Sequence, residues 1–239
     1  MIGVKFNGRM GNQIFQYAFF QYLKTNNENQ TFFFVNPHHA YLSRYFDLGL
    51  KQNLLMGSKL YSIITRSAPA VLPFKEIYIQ NIQVPRPVVV KDWIVYKGFF
   101  QTDWYLNHIK GKFNITIKPK YIQAFEAKFG STFSSEKTVV VHIRRTDYLN
   151  YGKRDISLPM KYFKQRLDAI ENLERYKVFF VSDDIEHAKD YFKEKPNYIY
   201  SSNNEIIDFQ IIMNADIAII SNSSFAWWAA YLSEKNNTV

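Results

Sequence analysis

The chain has 239 residues, 47% of them hydrophobic, so it can bury a core in one large or two small domains. The lack of cysteine excludes disulfides and cysteine-based metal sites, and no apolar run reaches the roughly 18 residues of a membrane span. The net charge of +9 allows a nucleic acid, a membrane surface or a sugar nucleotide as partner. Because the basic residues are dispersed, a solvated lysine-rich surface explains the charge equally well.

The chain opens with a strand rather than a secretory signal. Residues Ile2–Phe6 form a short apolar stretch, but Lys5, Asn7 and Arg9 interrupt it before a signal sequence could form. A helix is expected from Asn12, because apolar residues then recur with helical spacing. Without a signal or cysteine, the chain is expected to be cytoplasmic.

The rest of the first half gives weaker signals. A strand is predicted over Thr31–Val35, whereas residues 40–92 contain scattered Pro, Ser and Asn and favour no assignment. Trp93–Gly98 then predicts a strand and Pro119–Phe129 a helix.

A domain boundary is predicted in the small, polar stretch Gly130–Lys137. This placement gives a first domain of residues 1–132 and a second domain of residues 133–239. No internal repeat or low-complexity tract changes this division.

The second half alternates strand and helix signals. An apolar, β-branched run predicts a strand over Thr138–Ile143. Further strands are predicted over Lys177–Ser182, Tyr198–Tyr200 and Ile217–Ser221. Between and after them, helices are predicted over Met160–Leu173, Ile185–Phe192, Glu205–Asn214 and Phe225–Leu232. This alternation predicts an α/β fold with a doubly wound parallel sheet.

Ligands of open α/β sheets bind at the carboxyl ends of the strands, where this chain has four notable loops. In the first, residues 8–13, Gly8 and Gly11 allow a tight turn and close approach of the backbone to a ligand. The spacing is not the dinucleotide fingerprint. The alternative is an ordinary strand-to-helix turn with Asn12 as N-cap.

The second loop carries two adjacent arginines at the end of a buried strand. Alternation places His142 and Arg144 on one face and Arg145 on the other. Such arginines need an anionic partner. Asp147 can pair with one of them, and a diphosphate suits the other because a guanidinium group binds phosphate oxygens bidentately.

The third and fourth loops are polar. Asp183 and Asp184 could bind a divalent metal or accept hydrogen bonds from a base or ribose, or they could cap the following helix. Residues 221–228 end a strand and start a helix, whose N-terminus favours anions, with Ser223 or Ser224 as cap. The aromatic residues there are expected to be core rather than ligand-stacking. Together the loops predict a site for a nucleotide diphosphate.

Several motifs occur in a fixed order between residues 8 and 232. They are residues 8–18 (GRMGNQIFQYA), 98–101 (GFFQ), 142–148 (HIRRTDY), 158–160 (LPM), 181–184 (VSDD) and 222–228 (NSSFAWW). This combination resembles glycosyltransferase family 11, the α-1,2-fucosyltransferases.

The resemblance implies a glycosyltransferase-B fold, with two Rossmann-like domains facing a cleft and GDP-fucose held mostly by the second. It implies inverting transfer of L-fucose to the 2-hydroxyl of a terminal galactose, with no metal and no cofactor. The histidine–arginine motif is shared with α-1,6- and protein O-fucosyltransferases, so it indicates the donor more strongly than the linkage. A fucosyltransferase of other linkage, or another nucleotide-sugar transferase, is the alternative.

The resemblance also implies roles for single residues. Arg144 would hold the β-phosphate, braced by Asp147, while Arg9 and Asn12 would lie near the sugar and leaving group. The donor-binding residues, besides Arg144, would be His142, Arg145, Asp183, Asp184, Asn222, Ser223, Ser224 and Phe225. The general base stays open, because pairing with arginine would weaken Asp147 and the resemblance assigns His142 to the nucleotide.

The expected partners are GDP-fucose and a galactose-terminated glycan, with no nucleic acid. As a bacterial-type protein without a membrane span, it would touch the membrane only peripherally, through lipid-linked acceptors. The chain ends at Val239, where family members usually continue for some tens of residues, so we expect it to be C-terminally short. The rival classes are a nucleic-acid-binding protein, which would bind oligonucleotides with steep salt dependence, and a catalytically inactive relative that binds sugar nucleotide.

Overall fold

The computed structural model describes residues 1–35, 37, 41–81, 84–88, 90–109 and 113–235. It divides into two compact units, Met1–Lys118 and Pro119–Val239. Each unit contains a four-stranded sheet whose strands are all parallel. The predicted α/β class with parallel sheets is therefore confirmed. The C-terminal Val239 lies outside the described residues.

The sheet of the first unit has the strand order β2-β1-β5-β4. Its strands are β1 (Ile2–Lys5), β2 (Phe32–Val35), β4 (Lys75–Tyr78) and β5 (Ile94–Lys97). A short antiparallel pair joins β3 (Phe46–Asp47) to β6 (Thr116–Ile117). The helices are α1 (Met10–Asn26), α2 (Tyr41–Tyr45), α3 (Leu50–Gly57), α4 (Lys59–Val71) and α5 (Trp104–Asn107).

Aromatic side chains from α1 and the β5–α5 segment build the core of the first unit. The rings of Phe19 and Phe100 stack with centroids 3.9 Å apart. Tyr105 meets Phe19 edge-to-face at 4.8 Å, and Tyr96 does so at 5.6 Å. These contacts hold α1 against the sheet and fix where its first turn begins.

The sheet of the second unit has the strand order β10-β7-β8-β9. Its strands are β7 (Lys137–Ile143), β8 (Tyr176–Ser182), β9 (Tyr198–Tyr200) and β10 (Ile217–Ile220). The helices are α6 (Pro119–Ser135), α7 (Met160–Asp168), α8 (Ile185–Phe192), α9 (Glu205–Asn214) and α10 (Ser224–Tyr231). Alternate residues of β7 and β8 pack with Phe163 and Leu167 of α7 in one buried cluster.

The boundary between the two units lies before α6, whereas the sequence predicts a domain boundary after residue 132. Helix α6 continues through Gly130, although glycine costs about 1 kcal/mol in a helix interior. Packing outweighs that cost, because Phe129 and Phe133 lie 5.7 and 5.0 Å from the Phe179 ring of β8. The helix therefore belongs with the second sheet.

Other boundaries also differ from the predictions. Helix α7 ends at Asp168 rather than continuing to Leu173. Asn172 then adopts a left-handed conformation with φ 53°, which no α-helix continues through, and a short 3-10 turn follows. Residues 41–78, which gave no clear signal, contain three helices and two strands. Among the described residues, no helix is both long and apolar enough to cross a membrane.

Candidate active site

The second sheet has a topological switch point between β7 and β10. The chain proceeds from β7 to β8 and β9 on one side, while β10 pairs with β7 on the other. His142 lies opposite Ile220 at the carboxyl ends of these two strands. The loops that follow therefore leave in opposite directions and open a crevice, which is where α/β sheets bind ligands.

The buried hydroxyl of Ser221 joins the two loops. The main-chain N–H of Arg144 donates to Ser221 Oγ at 3.2 Å, and Oγ lies 2.9 Å from Nδ1 of His142. The N–H of Ser221 donates to the carbonyl of His142 at 3.1 Å. Which of Oγ and Nδ1 donates in their hydrogen bond depends on the tautomer of the imidazole.

His142 is neutral at neutral pH. Burial and, to a smaller extent, the adjacent charge of Arg144 lower the pKa of His142 to about 4, while Asp183 opposes the shift. The Phe225 ring lies 5.7 Å from the imidazole in a stacked arrangement. With 5% of its surface exposed, His142 is better placed to orient Ser221 than to make broad contact with a ligand.

The guanidinium group of Arg144 lies between two carboxylates. Nη2 is 2.8 Å from Asp147 Oδ2, and Nη1 is 3.2 Å from Asp183 Oδ2. The Arg144 side chain is 17% exposed, so the two carboxylates offset much of its desolvation. The predicted internal arginine–aspartate pair is therefore confirmed, and a diphosphate would meet a guanidinium group already fixed in orientation.

Asp183 and Asp184 brace the loop after β7. The Asp183 carboxylate accepts the N–H groups of Arg145 at 2.9 Å and of Thr146 at 3.2 Å, together with the Thr146 hydroxyl. Asp184 Oδ2 accepts from Nε of Arg145 at 3.1 Å. Asp184 does occupy the N-cap position of α8, as the helix-cap interpretation predicts, but its side chain makes no capping bond there.

The carboxylates of Asp183 and Asp184 have arginine partners. Within the described ranges, no group of three or more His, Cys, Asp or Glu side chains is placed to hold a metal ion. Asp183 pairs with Arg144, and Asp184 pairs with Arg145.

The loop after β10 is anchored to the segment that follows Arg144. Asn222 Nδ2 donates to the carbonyl of Ile156 at 3.0 Å, and the Tyr148 hydroxyl donates to the carbonyl of Asn222 at 3.2 Å. Ser223 is the N-cap residue of α10, but its side chain makes no capping bond. Ser223 and Ser224 therefore lie at the N-terminus of α10, next to Phe225, at the switch point.

Only some of the aromatic side chains of α10 lie in the core. Trp228 is fully buried, as predicted. Phe225 and Trp227 are half-buried, and the Trp227 ring stacks on Tyr231 at 4.9 Å.

The first sheet has its own switch point, between β1 and β5. Helix α1 begins at Met10 with Arg9 as N-cap residue, so the prediction of Asn12 as N-cap is wrong. Asn12 lies in the first turn, and its Oδ1 accepts from Gln101 Nε2 at 2.8 Å. Gly8 has φ 75°, and a Cβ there would lie 2.7 Å from Asn12 Nδ2, so glycine is required for this approach.

Sequence reasoning missed the buried amides that support this turn. Gln16, fully buried, donates to Asn7 Oδ1 at 2.6 Å and to the carbonyl of Gly98 at 3.0 Å, which joins the loops after β1 and β5. Gln13 donates to the carbonyl of Gly8 at 2.9 Å. The signal was present, because both glutamines lie within the apolar pattern of α1 and buried amides require partners.

The structure thus gathers the predicted residues into two groups. Arg9 and Asn12 lie at the switch point of the first sheet. The others lie at the switch point of the second: His142, Arg144, Arg145, Asp147, Asp183, Asp184, Asn222, Ser223, Ser224 and Phe225.

The fold of this chain is similar to that of solved fucosyltransferases. NodZ from Bradyrhizobium matches with a TM-score of 0.58 and 11% identity over 97% of this chain and 93% of that one. POFUT1 in complex with GDP matches with a TM-score of 0.52 and 10% identity over 99% and 96%. NodZ α-1,6-fucosyltransferase has also been crystallised with GDP.

The chain belongs to glycosyl transferase family 11, whose sequence model matches residues 1–239. Two curated relatives come from Escherichia coli. The O-antigen biosynthesis glycosyltransferase WbnK is 35% identical over 104 residues, which are 40% of this chain and 34% of that protein. An alpha-1,2-colitosyltransferase is 30% identical over 163 residues, 60% of this chain and 52% of that protein. The matched region therefore spans about a third of the length of WbnK and about half of the length of the colitosyltransferase.

Proposed function

We propose that this chain transfers L-fucose from GDP-fucose, with inversion, to the 2-hydroxyl of a terminal galactose in a glycan. The observation that carries the proposal is the Arg144 guanidinium group, fixed by Asp147 and Asp183 at the switch point of the second sheet. Family membership and the fold shared with proteins crystallised with GDP support it. The glycosyltransferase-B arrangement, with two domains facing a cleft, is part of the same proposal.

Arg144 is assigned to the leaving group. As the bond between fucose and the β-phosphate breaks, negative charge grows on GDP, and a pre-oriented guanidinium group stabilises it without reorganisation. The N–H groups at the start of α10, near Ser223 and Ser224, add positive potential. These donors replace the charge that a metal would supply, so we propose that transfer needs no metal.

The other residues of the site are assigned positioning or binding roles. Asp147 braces Arg144, and Asp183 and Asp184 hold Arg145 and its loop. With its pKa near 4, His142 is a poor general base at neutral pH, so we assign it to positioning Ser221 and the nucleotide. Arg9 and Asn12 are assigned to the sugar and leaving group.

The decisive experiment measures GDP release from GDP-fucose, with and without lactose, in EDTA. Lactose-dependent release, with an α-1,2 linkage in the product, would support the proposal. An active enzyme that forms another linkage would contradict the acceptor assignment. GDP binding without turnover would indicate a catalytically inactive protein, whereas absence of GDP binding would contradict the donor site.

A second candidate donor is GDP-colitose, because one relative is an alpha-1,2-colitosyltransferase. Colitose lacks the 3-hydroxyl of fucose. A pocket that hydrogen-bonds this hydroxyl rejects the deoxy sugar by about 10⁴-fold or more, whereas an apolar pocket discriminates only about 10²-fold. The ratio of kcat/KM for the two donors therefore decides between them.

A further inference from the structure

Helix α4 buries polar side chains and exposes apolar ones. Ser62 and Thr65 are 6% and 5% exposed, whereas Leu60, Ile63 and Ile64 are 68%, 53% and 57% exposed. The three apolar residues are spaced i, i+3 and i+4, so they form one stripe on the helix. This pattern is the reverse of that on a helix at the surface of a globular protein, which turns its apolar stripe inward.

Further apolar residues at the end of α4 and on α3 are also exposed. Val71, at the end of α4, is 80% exposed, and Leu72 follows. Leu50 and Leu54, one turn apart on the neighbouring α3, are 78% and 65% exposed. We call this set the α3–α4 apolar face: Leu50, Leu54, Leu60, Ile63, Ile64, Val71 and Leu72. Clustered exposed apolar residues mark sites of interaction with a protein or a membrane.

The orientation of α4 is set by specific inward contacts. Ser58 caps the helix by accepting the N–H of Tyr61 at 3.1 Å. The Tyr61 hydroxyl accepts the N–H of Phe34 in β2 at 3.0 Å, and Tyr61 packs against Phe33. The outward direction of the apolar face is therefore a consequence of how the helix is attached to the sheet.

The segment that carries the face has charged residues of one sign. Between Asp47 and Glu76 the sequence contains no acidic residue. It contains four basic residues, all exposed: Lys51, Lys59, Arg66 and Lys75. Lys59 and Arg66 are seven residues apart and flank the α4 stripe on one side. Basic side chains beside an apolar stripe match an anionic bilayer surface, where lipid phosphates attract the cations and the apolar residues enter the acyl boundary.

We propose that the α3–α4 apolar face is a peripheral membrane site that seats the first unit on an anionic lipid bilayer. The apolar residues supply burial, and the basic residues supply attraction to the lipid headgroups. The site would keep the protein beside acceptors carried by lipids. It depends on neither the donor nor the linkage proposed above.

The test is co-sedimentation with vesicles of equimolar phosphatidylcholine and phosphatidylglycerol, compared with pure phosphatidylcholine. We expect the wild type to bind the anionic vesicles more tightly. The double variant Ile63→Ser, Ile64→Ser should weaken binding about tenfold or more, because each buried isoleucine contributes substantially. Arg66→Glu should weaken it about fivefold or more.

Two controls lie on exposed helical surface of the second unit. Ile122→Ser removes an apolar residue of α6 that is 41% exposed, and Lys161→Glu reverses an exposed charge on α7. Both should bind vesicles like the wild type. If Lys161→Glu weakens binding as much as Arg66→Glu, the attraction is a general effect of net charge and the proposal is overturned.

Two further outcomes also overturn it. One is absence of vesicle binding by the wild type. The other is self-association of the wild type that the Ile63→Ser, Ile64→Ser variant abolishes, with no vesicle binding by either protein, because the face would then be a contact between copies.

Transfer to free lactose, measured on the same preparations, should be unchanged in the α4 variants. Absence of transfer by the wild type would contradict the proposed function, but it would not affect the conclusion drawn from vesicle binding.

Discussion

The main-chain N–H of Arg144 donates to the hydroxyl of Ser221 at 3.2 Å, although the two residues are 77 positions apart. The same hydroxyl lies 2.9 Å from His142 Nδ1. One buried oxygen thus ties the ends of β7 and β10 together beneath the proposed diphosphate site.

Replacing Ser221 by alanine should loosen this junction. The Arg144 N–H and His142 Nδ1 would lose a partner in a poorly solvated site, so the free energy of unfolding should fall by about 1–3 kcal/mol. GDP affinity, measured by calorimetry, should fall as well. Ser202→Ala, at an exposed position after β9, is the control and should change stability by less than about 0.5 kcal/mol. Unchanged stability of Ser221→Ala would contradict this role.

Arg144→Ala should lower kcat by about 10²–10³ while the fold survives, because a fixed donor to the leaving group is lost. Arg144→Lys should recover little, since an ammonium group cannot bridge Asp147, Asp183 and a phosphate with a planar fork. The measurement is initial rate at saturating GDP-fucose, with circular dichroism as a check of folding. Arg175→Ala, at an exposed arginine before β8, should keep the wild-type rate. Near-normal turnover by folded Arg144→Ala would contradict the assignment.

His142 and Asp208 should affect the pH dependence of stability with opposite signs. Burial lowers the pKa of His142 from 6.5 to about 4, so acidification from pH 7 to pH 5 protonates it mainly in the unfolded state and stability falls. Burial raises the pKa of Asp208 from 3.8 to about 6, so the same change protonates it mainly in the folded state and stability rises.

The variant Asp208→Asn separates the two effects. Its free energy of unfolding should fall by roughly 1–2 kcal/mol between pH 7 and pH 5, because only the His142 effect remains. The wild type should change less over this interval, since the two effects offset each other. Denaturant titrations at both pH values measure this. Equal slopes for the two proteins would mean that Asp208 does not take up a proton on folding in this range.

Gly98→Ala should destabilise the first unit by about 1–3 kcal/mol or more. Gly98 has φ 152°, and a Cβ there would lie 2.5 Å from the carbonyl oxygen of Ile79, which belongs to the backbone and cannot swing away. Gly57→Ala is the matched control, because a Cβ there meets nothing within 4 Å, and it should be neutral or slightly stabilising. The readout is the denaturation midpoint. Equal midpoints would contradict the strain argument.

The sequence predicts most of the strands and helices of the second unit. Its strands are short apolar or aromatic runs, and the predicted bounds of α8 and α9 agree with the structure, since apolar periodicity is a local property. Sequence motifs also gave the family and the loops of the site. The first unit was harder to predict, because α3 and α4 carry exposed apolar residues and their pattern does not follow the core.

The sequence by itself determined the α/β class, the family and which polar residues follow each strand. Only the tertiary structure decided their partners: Arg144 with Asp183, Arg145 with Asp184 and Ser221 with His142. These partners are 39 to 79 positions apart along the chain. The reason is physical: periodicity records whether a side chain is buried, whereas the neighbour it bonds is set by the strand order that brings distant segments to one sheet edge.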